Sequence, residues 1–460
     1  MPRANAIALL LFVALATGWL GQAMIGSPQP DGAPTDLWLP LQVQAQHDGE
    51  TVHLRLRWPS RHEHRFHDVL RFDGENWQAI GADDYPELFG EERVAMLLDD
   101  GGVPDFARFG GYLLIGDGTR FMPGAANEDA VAEHAFLGGE LGLTDIRKHL
   151  PDTRLGSWDA PVSAANLEAQ REAGYFLDLW HWRGDRGGPA DVSDDLHVAE
   201  HRHGDSGRSA YSTNWDDDAE QPRYMLDPDR HGTAGLRWQD LEEDSVDWSA
   251  RPWLIEDTAV AFDPEHDWQE GDTLPRRVLR EPEGSRAAIM AKSRLRDGWR
   301  EVILNRKLDT GEPLEDKTLR PGGSYTVAFA VHSDGATGRH HHVSLPFSLA
   351  LERPADITVT RMDGDTPDWT EPDRTITLFY PGQVNWPRIT GSGHAGADAV
   401  AQGIPVRARH DEHKLALYGL EAEAETAVIW NWAVTLLLGL VLLGILPWSL
   451  GRLDDREPSA

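Results

Sequence analysis

Cysteine does not occur in this chain of 460 residues. Its absence excludes disulfides, thiolate chemistry and any covalent cofactor linkage through a Cys-x-x-Cys-His motif. Positive charge is also short. With 43 basic against 76 acidic residues the net charge is −33, and lysine is scarce beside arginine. A field of that sign argues against nucleic acid as a partner and favours solubility. No Gly-x-Ser-x-Gly elbow, P-loop, Gly-x-Gly-x-x-Gly fingerprint or His-Glu-x-x-His motif is present, and there are no heptads or fixed-period repeats. With no nucleophile–base pair in view, the chain reads as a binding or carrier subunit rather than a catalyst. Methionine is sparse too: seven in all, two of them in the first 24 residues.

What is present starts with two hydrophobic runs. Ala6 to Leu20 follows Arg3 and precedes Gly21-Gln22-Ala23, the pattern of a secretory signal peptide over residues 1–23, with an uncleaved anchor as the other reading. Ala427 to Leu450 carries no charge and has Trp430, Trp432 and Trp448 near its ends. That is long enough for a transmembrane helix with an aromatic belt, leaving a short tail, 451–460, inside. The chain is therefore expected in the inner membrane, with its main domain on the periplasmic side.

Between these runs the period is that of strands. Leu41 to Ala45 and Val52 to Pro59 alternate around His47-Asp48-Gly49-Glu50, which predicts a β-hairpin. Further strands are expected at Val69–Phe72, Arg93–Leu98 and Tyr325–His332, at a hairpin turning on Asp297-Gly298, and at Thr375–Phe379. Helical pieces fit Asn127–Leu137 and Ala164–Glu172. Asp185 to Asp247 carries little apolar periodicity, and roughly 60 such residues predict a functional cover or extended arm. The class is mainly β, with long loops and short helices over 37–352 and a stalk-like extension over 353–426.

Three clusters could carry chemistry. Tyr175 to Gly184 alternates, so Leu177, Leu179, His181 and Arg183 share one strand face and Phe176, Asp178, Trp180 and Trp182 the other. Trp180 and Trp182 could wall a flat ring, and Arg183 could pair with a carboxylate; the plainer reading is a strand with two core tryptophans. His340-His341-His342 offers imidazoles for a metal, with His341 facing opposite to its neighbours; a polar strand end is the plainer reading. Among the methionines, Met96 and Met290 fit core packing, whereas Met122 sits in a Gly-rich loop off any obvious core face and offers a thioether ligand.

The order of Leu54-Arg55-Leu56-Arg57-Trp58-Pro59, Arg93-Val94-Ala95-Met96, Arg120-Phe121-Met122-Pro123, Asp178-Leu179-Trp180-His181-Trp182-Arg183, Phe329-Ala330-Val331 and His342-Val343-Ser344 resembles the haem-binding domain of the ethylbenzene dehydrogenase gamma subunit and related periplasmic cytochromes. The resemblance implies a β-sandwich holding one non-covalent b-type haem and passing electrons to a redox partner in a molybdoenzyme- or quinol-linked complex. In that family a methionine and a lysine hold the iron. The lysine lies shortly before a serine on a late strand, which here is His340 to Ser344. The resemblance therefore implies His341, with His342 second, and Met122 as axial ligands, and Trp180, His181, Trp182 and Arg183 around the ring. Relatives with c-type haem carry cysteines that this chain lacks, so c-type haem is excluded. A haem-free module docking carbohydrate or a partner subunit on the same fold is the alternative.

Overall fold

Two alternating runs with a tight turn between them form the hairpin that starts the fold. Strand β1 (Trp38–His47) pairs with β2 (Thr51–Pro59), and Asp48 closes the turn by accepting from the Glu50 and Thr51 amides. On β2 every second side chain is buried, the period of a half-covered strand. This computed structural model describes residues 38–379 apart from 62–65, 83, 86, 115–117, 121–124, 334–340, 363, 365 and 371–373, together with 434. The expected signal segment, and the transmembrane span apart from Val434, lie outside the described residues. Among the described residues no helix is long and apolar enough to cross a membrane.

In chain order the next strands are β3 (Asp68–Phe72), β4 (Trp77–Gly81), β5 (Arg93–Asp99), β6 (Leu177–Arg183), β7 (Asp194–Val198) and β8 (Arg202–Gly204). Short pieces follow: β9 (Tyr211–Thr213), β10 (Tyr224–Met225), β11 (Leu236–Arg237), β12 (Leu254–Ile255), β13 (Val260–Ala261), β14 (Asp272–Pro275) and β15 (Arg277–Leu279). Longer strands complete the fold: β16 (Met290–Arg296), β17 (Trp299–Lys307), β18 (Ser324–His332), β19 (His342–Ser344), β20 (Phe347–Leu351), β21 (Ile357–Arg361) and β22 (Arg374–Phe379). Helices are few and short, among them Glu128–Glu133 and Ala164–Glu172.

One sheet dominates, in the order β16-β17-β2-β1-β21-β20-β18-β5-β6-β7-β8, with β19 and β22 bridging β18 and β1. Its first strand, β16, also meets the segment leading into β7, because Ala291 N donates to Asp191 O at 2.8 Å and Ser193 N to Ile289 O at 3.0 Å. The resemblance implies two packed sheets. Here a single sheet curls so that its two halves supply both layers, and Leu54, Leu56, Val94, Trp180, Val302 and Val327 share one core. Trp58 and Trp182 meet edge to face at its heart, 6.3 Å apart. Burying an indole of that kind stabilises the fold by about 4–6 kcal/mol. Met290, expected in the core, opens β16 at the sheet edge and is 51% exposed.

The stretch 185–247 is not the structureless arm its pattern predicts. It contains β7 to β11, several only two or three residues long, and its short strands pair with partners distant in sequence, such as β9 with β15 and β11 with β14. Strands that short leave no period to read.

A charged cluster lies in the interior behind β6. Arg306 of β17 reaches Asp178 at 2.8 Å, Asp316 at 2.9 Å and Asp195 at 3.7 Å, all fully buried, and stacks over the Trp180 ring. Neither carboxylate oxygen of Asp195 has a hydrogen-bond donor. Burial, followed in effect by nearby carboxylates, pushes the Asp195 carboxyl well above the usual range against the pull of Arg306. These three carboxylates come within metal-ligating distance of one another, but the Arg306 guanidinium is the cation placed among them.

Candidate functional site

Strand alternation decides which side chains β5 offers. Val94, Met96 and Leu98 enter the core, so Arg93, Ala95 and Leu97 take the other face. Register carries that face across three strands. Ala95 lies opposite Ala330 of β18 and His181 of β6, and Arg93 lies opposite His332 and Arg183. Val343 of β19 extends the alanine row beyond Ala330. One step along, Leu97, Leu179, Leu196 and Ala328 are roofed by Phe106, Phe109, Leu113, Leu114 and Leu150. Past that roof Ala95, Ala330, His181, His332 and Arg93 stay partly exposed. The result is a low floor of methyl groups with imidazoles and guanidiniums at its edges.

His341 belongs to this edge. Its ring stacks on His332, with centroids 4.5 Å apart and planes 14° from parallel. Two imidazoles stacked face to face cannot sit on opposite sides of one metal ion, so His332 is excluded as the trans partner of His341. His342 pairs with Val331 and is buried, away from its neighbour's face.

The charges on this face are unevenly matched. Asp194 takes Arg183 Nη2 at 2.8 Å and Arg286 at 2.8 Å, and Arg183 Nη1 also donates to the Tyr211 hydroxyl at 2.7 Å. Glu91 holds Arg186 and, at 3.3 Å, Arg93. The side chain of Arg202, on the same face as Val198 through its pairing in β8, has no hydrogen bond or ion pair among the described residues, although Asp194 is close enough to attract it. Burial, then the guanidiniums of Arg183, Arg147 and Arg186, pull its pKa down to about 9.

His181 is held neutral. Burial first, then Arg183, Arg202, Arg93 and His332, push its pKa well below that of a free imidazole. Arg183 Nε, which can only donate, points at His181 Nδ1 at 3.4 Å. That contact assigns the imidazole proton to Nε2, making His181 a donor to the site rather than a metal ligand.

The sequence-based candidates divide accordingly. The structure brings His181, Arg183 and His341 to one face. Trp180 and Trp182 are each 1% exposed and lie on the core side of β6, so they do not wall the site, because the alternation that presents His181 turns them inward. Arg183 is already engaged by Asp194 and Tyr211. Met122 lies outside the described residues. Sequence reasoning missed Arg93, Ala95, Ala330, His332 and Arg202. Replacing Trp182 by alanine is expected to cost about 3–5 kcal/mol of stability without selectively weakening a ligand on the outer face. Urea unfolding and ligand titration of Trp182→Ala, run side by side, check both parts.

A flat ring could rest on the alanine floor, a metal at its centre could take the His341 imidazole, and anionic substituents could reach the cationic rim. Residues 23–344, well over half of the chain, match the sequence profile of a family described as Ethylbenzene dehydrogenase. A stretch of 92 residues is 43% identical to cytochrome c-552 of Stutzerimonas stutzeri, covering 20% of this chain and 30% of that protein.

Proposed function

The chain belongs to the ethylbenzene dehydrogenase family, and on that basis we propose that it is a membrane-tethered, periplasm-facing electron carrier with one b-type haem held by side chains alone. The observation that supports this most is the face shared by β18, β5 and β6, where the small side chains of Ala95 and Ala330 lie next to the row of His332, on which His341 stacks, and arginines line the edge. Without cysteine no thioether linkage can form.

His341 would supply a nitrogen to the iron, in place of the lysine that the family resemblance implies, and Met122 is proposed as the second side chain that would hold it. His332 holds the His341 ring by stacking. His181, neutral and protonated on Nε2, donates a hydrogen bond and leaves the iron alone. The apolar roof from Phe106 to Leu150 excludes water from one end. When bound, the haem supplies one-electron redox chemistry, and its potential is set by ligand identity and burial. Catalysis is left to a partner, a molybdoenzyme or quinol-linked complex, and the tether rests on the apolar span 427–450.

A haem-free module stacking carbohydrate on Trp180 and Trp182 lacks its contact surface, since both rings lie in the core. Titrating the apoprotein with haemin is expected to saturate at one equivalent with a Soret band that shifts reversibly on reduction and reoxidation. A featureless titration contradicts the proposal.

A further inference from the structure

Arg202 is the surplus cation of the site. Asp194 is shared by Arg183 and Arg286, and Glu91 by Arg186 and Arg93. Asp145 is taken by Arg120 at 2.7 Å and Arg147 at 2.9 Å. That leaves Arg202 half-buried among like charges with no carboxylate of its own. A guanidinium only partly exposed and set among other guanidiniums is stabilised when an anion joins it. On the same face, two register steps along from the row of Arg202 but within reach of its charge, His181 presents an Nε2 hydrogen, because Arg183 Nε occupies Nδ1. Two donors on one sheet face with no partner among the described residues, both reachable from solvent, make a site for a carboxylate.

We propose that Arg202, assisted by His181 Nε2–H, binds a carboxylate on the edge of the porphyrin. Arg183, the carboxylate partner suggested by the strand motif, is satisfied within the protein and orients His181 instead. The inference rests on the haem reading but concerns the ring's substituents and not its iron.

The test uses metal-free protoporphyrin IX and its dimethyl ester, with binding followed by quenching of tryptophan fluorescence. Metal-free porphyrin needs no axial ligand, so His341 and Met122 do not enter the result. Wild type is expected to bind the free acid, with affinity that falls as salt rises, and to bind the ester without salt dependence. Arg202→Gln is expected to lose about tenfold or more in affinity for the acid, as for a charge-assisted hydrogen bond, and little for the ester. Arg202→Lys should keep most of the affinity. Equal loss for acid and ester in Arg202→Gln, or no loss, overturns the inference. Should the variant fail to fold, the wild-type salt dependence decides, and equal slopes for acid and ester overturn it as well. If wild type binds haemin through iron but shows no preference for the free acid, only this inference falls. If it binds neither haemin nor either porphyrin, the haem reading falls with it.

Discussion

Replacing His341 by alanine is expected to convert a six-coordinate, low-spin haem into a five-coordinate one and to lower haem affinity by about tenfold or more, the loss of one coordinate bond worth at least about 1.4 kcal/mol. His341 lies at the edge of the Ala95–Ala330 floor, stacked at 4.5 Å on His332, whereas His342 is buried on the opposite side and His181 carries its proton on the nitrogen that would have to coordinate. Free imidazole added to His341→Ala should restore the low-spin spectrum by filling the gap. His341→Lys should retain a nitrogen ligand, as the family resemblance implies, with a shifted potential. His342→Ala should affect stability more than spectrum. An unchanged spectrum in His341→Ala would show that the iron is held elsewhere.

Arg306→Met is expected to destabilise the fold by about 3–5 kcal/mol, because it strands three buried carboxylates without their cation. The cost should depend on pH, and the sign follows from the direction of the shifts. Asp195 is raised well above its usual range, first by burial and then by neighbouring carboxylates. Burial, followed by Asp316 and Asp178, raises Asp205 to about 9. The folded state therefore holds protons that the unfolded chain releases above about pH 4. Their stabilisation is complete at low pH and is lost as pH rises toward about 9. Asp194 runs the other way: although burial raises it, Arg183 and Arg286 bring it below its usual value, and its contribution disappears as pH falls below about 4. In Arg306→Met the buried carboxyls lose the cation that most favours their ionisation, so stability should fall more steeply with rising pH than in wild type. Urea midpoints measured from pH 5 to pH 9 test this. A loss below about 1 kcal/mol, or parallel pH profiles, would mean that the cluster is balanced by something other than Arg306.

Long strands were legible in the sequence, and short ones were not. The hairpin of β1 and β2 shows itself by alternation and by Asp48-Gly49, and β17 by its position after Asp297-Gly298. Alternation also separates His181 and Arg183 from Trp180 and Trp182, although reading the tryptophans as ring walls required a face they do not occupy. The segment 185–247 resisted because its short strands find their order only through distant partners. The site was half legible for the same reason. Ala95 and Ala330 are unremarkable in sequence, and only the β5–β18 register brings them side by side. Arg202 becomes informative only once each neighbouring carboxylate is seen to be occupied. Its sequence context, a short polar run after Val198, gives no signal. The alternation of Arg93-Val94-Ala95-Met96 did contain one clue, since it puts an arginine and an alanine on the face away from the core.

The most direct test of a haem held by side-chain coordination alone is the visible spectrum of the full chain purified from haem-producing cells, oxidised and then reduced, followed by extraction with acidified acetone. The expected result is a Soret band that shifts on reduction, sharpened visible bands typical of a low-spin iron, and complete transfer of the colour into the acetone. Colour that stays with the protein, or a chain that absorbs only as its tryptophans do even after haemin is supplied, would contradict it.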